Sequence, residues 1–179
     1  MTFWTLRHPP VDRKGRCVGQ SVLALTIPIA HAVAQALASA PIVPRRLYSS
    51  DLPRCADLAR GLAEAWKVDL SLTPELRELS FGLWEGRHYD ALDREDGARW
   101  RTWCDDWKHV APPGGETLTA FSARIMSWLQ SHQPGSDTLL VTHAGVIRAI
   151  EVRGGKTWDA AMASSTPFLG WNEHTLAGL

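Results

Sequence analysis

Short apolar runs of β type alternate along this chain with longer stretches of helical periodicity, and the runs end abruptly at charged or polar residues. Phe3 to Leu6 stops at Arg7-His8-Pro9-Pro10, where two prolines cannot continue a central strand. Apolar residues at helical spacing fill Ile27 to Leu37, with Thr26 and Pro28 as a helix start. Leu47 to Ser49 reads as a second strand, and Ser50-Asp51 with Pro53 opens a helix to about Trp66. Val68 to Leu72 suits a third strand, and 97–108 and 117–132 read as helices. Thr138 to Thr142 is a further β run, followed at once by His143-Ala144-Gly145 and a helix over Val146 to Val152. Strands that alternate with helices require a mostly parallel sheet covered on both faces and joined by right-handed crossovers. The expected fold is a three-layer α/β/α sandwich. Gly154 to Leu179 has a weaker pattern, in which Phe168 to Trp171 reads as a last strand.

At 179 residues the chain fits one ordinary domain, taken as 1–179, with no internal repeat and no room for a second large core. Nine tryptophans are the compositional oddity. Trp66, Trp100, Trp103, Trp107 and Trp128 fall in helical segments and are expected to pack helices onto the core rather than to wall a substrate. Lys plus Arg and Asp plus Glu both number 19, so no global field draws the chain to nucleic acid or an anionic membrane. The beginning lacks a basic region followed by a long apolar stretch, and no later run would span a bilayer, so a cytoplasmic location is expected. Three cysteines without a C-x-x-C pair disfavour disulfides and structural zinc.

In open parallel sheets ligands bind beyond the carboxyl ends of the strands, where helix amino ends also point. Arg7 and His8 end the first strand there, Arg54 lies in the first helical turn after the second, and His143 ends the late strand. Two arginines and two histidines beside backbone N–H groups match a phosphate dianion, because a guanidinium donates paired hydrogen bonds and stays charged at working pH. Other phosphatase chemistries fail on spacing. A cysteine phosphatase needs arginine six places after its cysteine, where Cys17, Cys55 and Cys104 have Leu23, Gly61 and Val110. No D-x-D, G-x-S-x-G or G-x-x-x-x-G-K-[ST] pattern occurs, and the histidines show no metal-ligand spacing, so no metal or other cofactor is expected.

The strings Leu6-Arg7-His8, Ser49 to Cys55, Glu75 to Gly86, Gly114 to Thr117 and Thr142 to Arg148 together resemble the histidine phosphatase superfamily, also called phosphoglycerate mutase-like, over about residues 3–152. The resemblance implies a metal-independent phosphoric monoester hydrolase that works through a phosphohistidine. It implies His8 as nucleophile, Arg7, Arg54 and His143 as phosphate ligands, and Glu78 as the proton donor, with His143 also counted as catalytic. The family usually has glycine after the nucleophile; here Pro9 and Pro10 follow, and the threonine and asparagine that many members carry in that loop are missing. A subgroup similar to α-ribazole phosphatases shares the R-H-P-P start and a G-x-C-x-G, matched by Gly15-Arg16-Cys17-Val18-Gly19.

Two arginines beside His8 lower its proton affinity by like-charge repulsion and keep the imidazole available for attack. Glu78 would act as acid and then base, with Glu85 as its substitute. Glu85 and His88 are candidates for the substrate mouth, and Glu116 is expected near a helix start where its charge suits the dipole. The expected partner is a small phosphomonoester, with α-ribazole 5′-phosphate, from assembly of the cobalamin lower ligand, implied by resemblance alone. A mutase that returns the phosphoryl group and an inactive phosphate-binding protein stand as alternatives. Oligomeric state is not encoded in any of these features.

Overall fold

The computed structural model of this chain describes residues 1–177. Five strands form one sheet: β1 (Thr2–Arg7), β2 (Arg46–Ser50), β3 (Leu70–Thr73), β4 (Thr138–Thr142) and β5 (Trp171–Thr175), in the order β3-β2-β4-β1-β5. The first four pair in parallel, and β5 runs antiparallel along β1. Central β4 is buried at all five positions and reads as an apolar run closed by threonines at each end, as a strand covered on both faces should.

The period-2 alternation of β4 separates two cores. Leu139 and Val141 face α1 (Ile29–Ala38) and α2 (Pro53–Trp66) together with Leu6, Leu47, Leu58 and Leu62. Leu140 faces α5 (Leu118–His132) and α6 (Ala144–Arg153) with Phe3, Phe121, Ile125, Leu129 and Ile150. The three layers expected from the alternation are present. Two short helices, α3 (Tyr89–Glu95) and α4 (Gly97–Asp105), carry Leu92, Trp100 and Trp103 onto the buried Trp84 in a third, smaller cluster. Helix α7 (Trp158–Ala163) lies in the C-terminal stretch.

Several boundaries differ from expectation. The last strand is Trp171–Thr175, not Phe168 to Trp171, because Leu169 takes a left-handed φ of 56° and turns the chain before the strand begins. The third strand starts at Leu70, since Lys67, at φ 57°, ends α2 and leaves Val68 to bond back to Ala63. Helix α4 ends at Asp105 rather than 108, which leaves Trp107 outside the helix expected to carry it in a row with Trp100 and Trp103. Trp107 packs edge-on against Trp158 instead. Trp66, Trp100 and Trp128 are packing residues as expected.

Candidate active site

Strand register assembles the centre. Arg7 pairs with Thr142 and Ser49 with Val141, so His8, His143 and Ser50 leave three adjacent strands side by side. The His8 N–H still reaches Thr142 O at 3.0 Å, and the two imidazole centroids are 5.1 Å apart. Helices α2 and α6 start directly behind β2 and β4 and turn their amino ends toward the same point. Pro53 suits the first position of α2, where an N–H would have no helical partner.

His8 is nearly buried, and its Nδ1 lies 2.7 Å from Pro9 O. A carbonyl only accepts, so Nδ1 carries the proton and Nε2 keeps its lone pair. Burial above all, then the charges of Arg54 and Arg7, pushes the His8 pKa down to about 3 against the lift from the Pro9 bond. The ring is therefore an unprotonated base at neutral pH. Proline in place of the family's glycine removes an N–H at position 9 but leaves the backbone carbonyl that fixes the His8 tautomer.

Arg54 is held without a carboxylate. Its guanidinium donates to Ser21 O at 2.9 Å and to Gly19 O, and its Nε donates to His143 Nδ1 at 3.3 Å. His143, completely buried, must then carry its proton on Nε2, which donates to Ser50 Oγ at 2.9 Å. Its ring lies behind Arg54, and burial, followed by the charge of Arg54, holds its pKa well below the ordinary value. Arg7 donates to Thr166 O and stacks on Phe168, with its guanidinium carbon 3.8 Å from the ring centroid. Burial is the largest influence pulling the Arg7 pKa down, to about 10. Its buried Nε has no acceptor among the described residues.

Glu78 sits at the start of α6, with Oε2 accepting from Gly145 N and Oε1 from Leu79 N, each at 3.0 Å. A Cβ on Gly145 would lie 2.0 Å from Glu78 Oε1, so the carboxylate can rest there only because residue 145 has no side chain. The segment carrying Glu78 is tied down by Arg124, which donates to Glu75 O at 2.6 Å and Arg77 O at 3.2 Å and forms a two-point pair with Glu116. Glu116 in turn accepts from Ser80 N at 2.9 Å. Its task is to fasten this segment, a role that helix-dipole reasoning alone did not reveal.

These side chains surround two joined spaces. The smaller, about 30 Å³, is walled by Arg7, His8, Arg13, Arg54, Glu78 and Phe168. The larger cleft, about 530 Å³, continues from it past Phe81, Trp103, Trp107, Leu118 and Trp158. Arg7, Arg13, Val18 and Glu78 belong to both. Trp103, which packs against Trp84 as expected, also lines this cleft, and Trp107, expected to pack a core, lines it too.

Neither mouth candidate is at the mouth. The Glu85 carboxylate accepts from the N–H groups of Gly19, Gln20, Ser21 and Phe81 at 2.8–3.1 Å and from Ser21 Oγ. Burial works to raise its pKa, but these donors outweigh it and hold the group below the usual carboxylate range. Glu85 fixes the backbone whose carbonyls grip Arg54 and is not free to replace Glu78. His88 caps α3 by accepting from Asp90 N and packs beside Gly15, outside both spaces. Arg13 was missed by sequence reasoning. Its signal was a cation in the loop just past His8.

Residues 4–157 match the model of the histidine phosphatase superfamily, branch 1, and the chain belongs to that family. It is a phosphoric monoester hydrolase. An adenosylcobalamin/alpha-ribazole phosphatase of Salmonella typhimurium is 32% identical over 161 residues, covering 86% of this chain and 79% of the relative. The crystal structure of a putative alpha-ribazole-5′-P phosphatase from Escherichia coli superposes with a TM-score of 0.85 at 28% identity, over 97% of this chain and 89% of that one. A probable phosphoglycerate mutase of Yersinia pestis is 34% identical over 134 residues, 72% of this chain and 61% of the relative. Among the described residues no helix is long and apolar enough to cross a membrane.

Proposed function

We propose that the chain hydrolyses α-ribazole 5′-phosphate, or a closely similar phosphate ester of an aromatic nucleoside, through a phosphohistidine on His8 and without a metal. The observation that carries this reading is the position of Glu78 at the junction of the two spaces, with His8 in the smaller one. A phosphoryl group in the small space presents phosphorus to His8 Nε2, and its ester oxygen then leaves toward the larger cleft past Glu78. Attack forms the N–P bond as the O–P bond breaks, and Glu78 gives a proton to the departing oxygen. The phosphorylated ring gains positive charge, which the Pro9 carbonyl stabilises through Nδ1–H. Arg7 and Arg54 meet the charge on the equatorial oxygens, where positioned cations do most of the work of a loose phosphoryl transfer. Glu78 then takes a proton from the water that cleaves the N–P bond. His143 serves by holding Arg54; its own contact with phosphate would require Nε2–H to leave Ser50.

The base of the substrate is chosen from the cleft. Trp103, Trp107 and Phe81 offer flat apolar surface, and the Salmonella relative and the Escherichia coli structure both carry α-ribazole in their names. Brief exposure to labelled α-ribazole 5′-phosphate with an alkaline quench should leave acid-labile label on His8, and none in His8→Ala. Label on serine, aspartate or cysteine would overturn the mechanism. Return of label to the ribazole alcohol in preference to water would make the chain a mutase.

A further inference from the structure

The loop after the nucleophile lacks the polar donors expected of a phosphate cradle. Pro9 and Pro10 have no N–H, and the Pro10 and Pro9 carbonyls are committed to Thr26 N and His8 Nδ1. Val11 and Val18, apolar, also wall the small space. One residue of this loop brings donors back to it. Arg13 lines both the small space and the adjoining cleft, as Glu78 does.

Three further observations fit a ligand-facing role. Among the described residues Arg13 has no carboxylate partner, although its neighbour Lys14 pairs with Asp12 at 2.9 Å. Its guanidinium instead donates to Tyr89 Oη at 3.1 Å, a neutral partner on α3 that steadies the side chain without neutralising it. Its charge is felt at His8, Arg7 and Arg54, where it adds to the larger effect of burial in lowering proton affinity, so it lies within Coulomb range of all three.

We propose that Arg13 is a third arginine for the substrate phosphoryl group, standing in for the donors that the prolines remove and closing the small space from the solvent side. It is a substrate-binding residue for this reaction and rests on the reading of the site as a phosphoryl pocket. Arg54 is buried and Arg7 half-buried, and both are held by carbonyls, whereas Arg13 is exposed, so it can meet the phosphate as it enters and release it as product.

The test is calorimetric binding of inorganic phosphate, which needs no turnover, paired with steady-state hydrolysis of p-nitrophenyl phosphate. Arg13→Ala should weaken phosphate binding and raise KM by roughly tenfold or more, the scale of one charge-assisted contact. Its thermal midpoint should match wild type because the side chain is exposed. Lys14→Asn is the charge-matched control, with asparagine chosen because residue 14 has a φ of 45°; both parameters should stay within about twofold. Equal losses in the two variants would reduce the effect to a general field and overturn the proposal, as would an Arg13→Ala protein within threefold of wild type. Absence of label on His8 in the wild-type trapping experiment would instead remove the reaction itself, so the two failures are distinguishable.

Discussion

Replacing Gly145 with alanine is the sharpest perturbation of this site, because it adds one methyl group to a helix and aims it at one carboxylate. The added carbon would lie 2.0 Å from Glu78 Oε1 and 2.9 Å from its Cδ, well inside van der Waals contact. The obstacle is the far end of a flexible side chain, so the fold can yield by swinging Glu78 away from the amino end of α6. That movement gives up the bonds from Gly145 N and Leu79 N. Losing bonds to a charged group costs about 1.5–3 kcal/mol each at most, and exposure to solvent at the cleft recovers part of it. Alanine in a helix returns up to about 1 kcal/mol relative to glycine. The thermal midpoint should therefore move little. Turnover should not be spared: kcat on an alkyl phosphate should fall by roughly 10²–10⁴, the range for loss of a general acid. The assay is kcat for α-ribazole 5′-phosphate and p-nitrophenyl phosphate in Gly145→Ala, Glu78→Gln and the double variant. The activated nitrophenolate needs little proton assistance, so its phosphorylation of His8 should be nearly unchanged in a single turnover. The double variant should be no worse than the poorer single one, since both substitutions disable the same group. Full activity in Gly145→Ala, or additive losses in the double variant, would show that Glu78 is not the acid at this position.

Two other expectations concern Glu85 and the buried histidines, among them His174 on β5, whose Nε2 lies 2.8 Å from Thr5 Oγ1. The buried bases His8 (pKa about 3), His174 (about 4) and His143 (well below its usual value) stay neutral in the folded chain while the unfolded chain protonates them from about pH 6.5 downward. These depressed values cost nothing above pH 6.5, and the penalty grows until pH falls to each folded value; at pH 5 it is about 2 kcal/mol each for His8 and His174, with His143 acting in the same direction, and a urea midpoint that does not drop between pH 8 and pH 5 would contradict this. Glu85→Gln turns an acceptor oxygen into an amide NH2 facing N–H donors, so it should loosen the Gly19–Ser21 carbonyls around Arg54, lower the thermal midpoint and raise KM more than it lowers kcat; steady-state kinetics with an unchanged KM would show that this tether does not position Arg54.

What the sequence made legible follows from how local its signals were. Pro9-Pro10 marks the end of β1 to within a residue or so, and the apolar run before His143 marks β4, so the two histidines and Arg7 could be placed at strand ends without coordinates. Arg54 followed from Pro53 at a helix start. The misreadings concern residues whose partners are distant in sequence. Glu85 looked like a spare catalytic carboxylate because nothing in its neighbourhood reveals that its donors come from residues 19–21. His88 has a local role as a helix cap, but Tyr89 beside it suggested a binding surface. Trp107 fitted a helical period with Trp100 and Trp103, and only the end of α4 two residues earlier takes it out of that row. Arg13 carried only its charge and its place in the loop after His8, which fit no motif; its role depends on where the loop folds back.

The insertion of β4 between β1 and β2 bears on how activity returns after denaturation. His8 and His143 are neighbours across a ladder whose two strands are separated by more than a hundred residues of chain, and Arg54 reaches them only when β2 has docked on the other side of β4. Each of the first two strands lacks its central neighbour until β4 arrives, so closing these long loops must precede any assembly of the pocket. A refolding molecule therefore has no partial version of the centre to use: catalytic competence and the closed sheet are gained in the same late event.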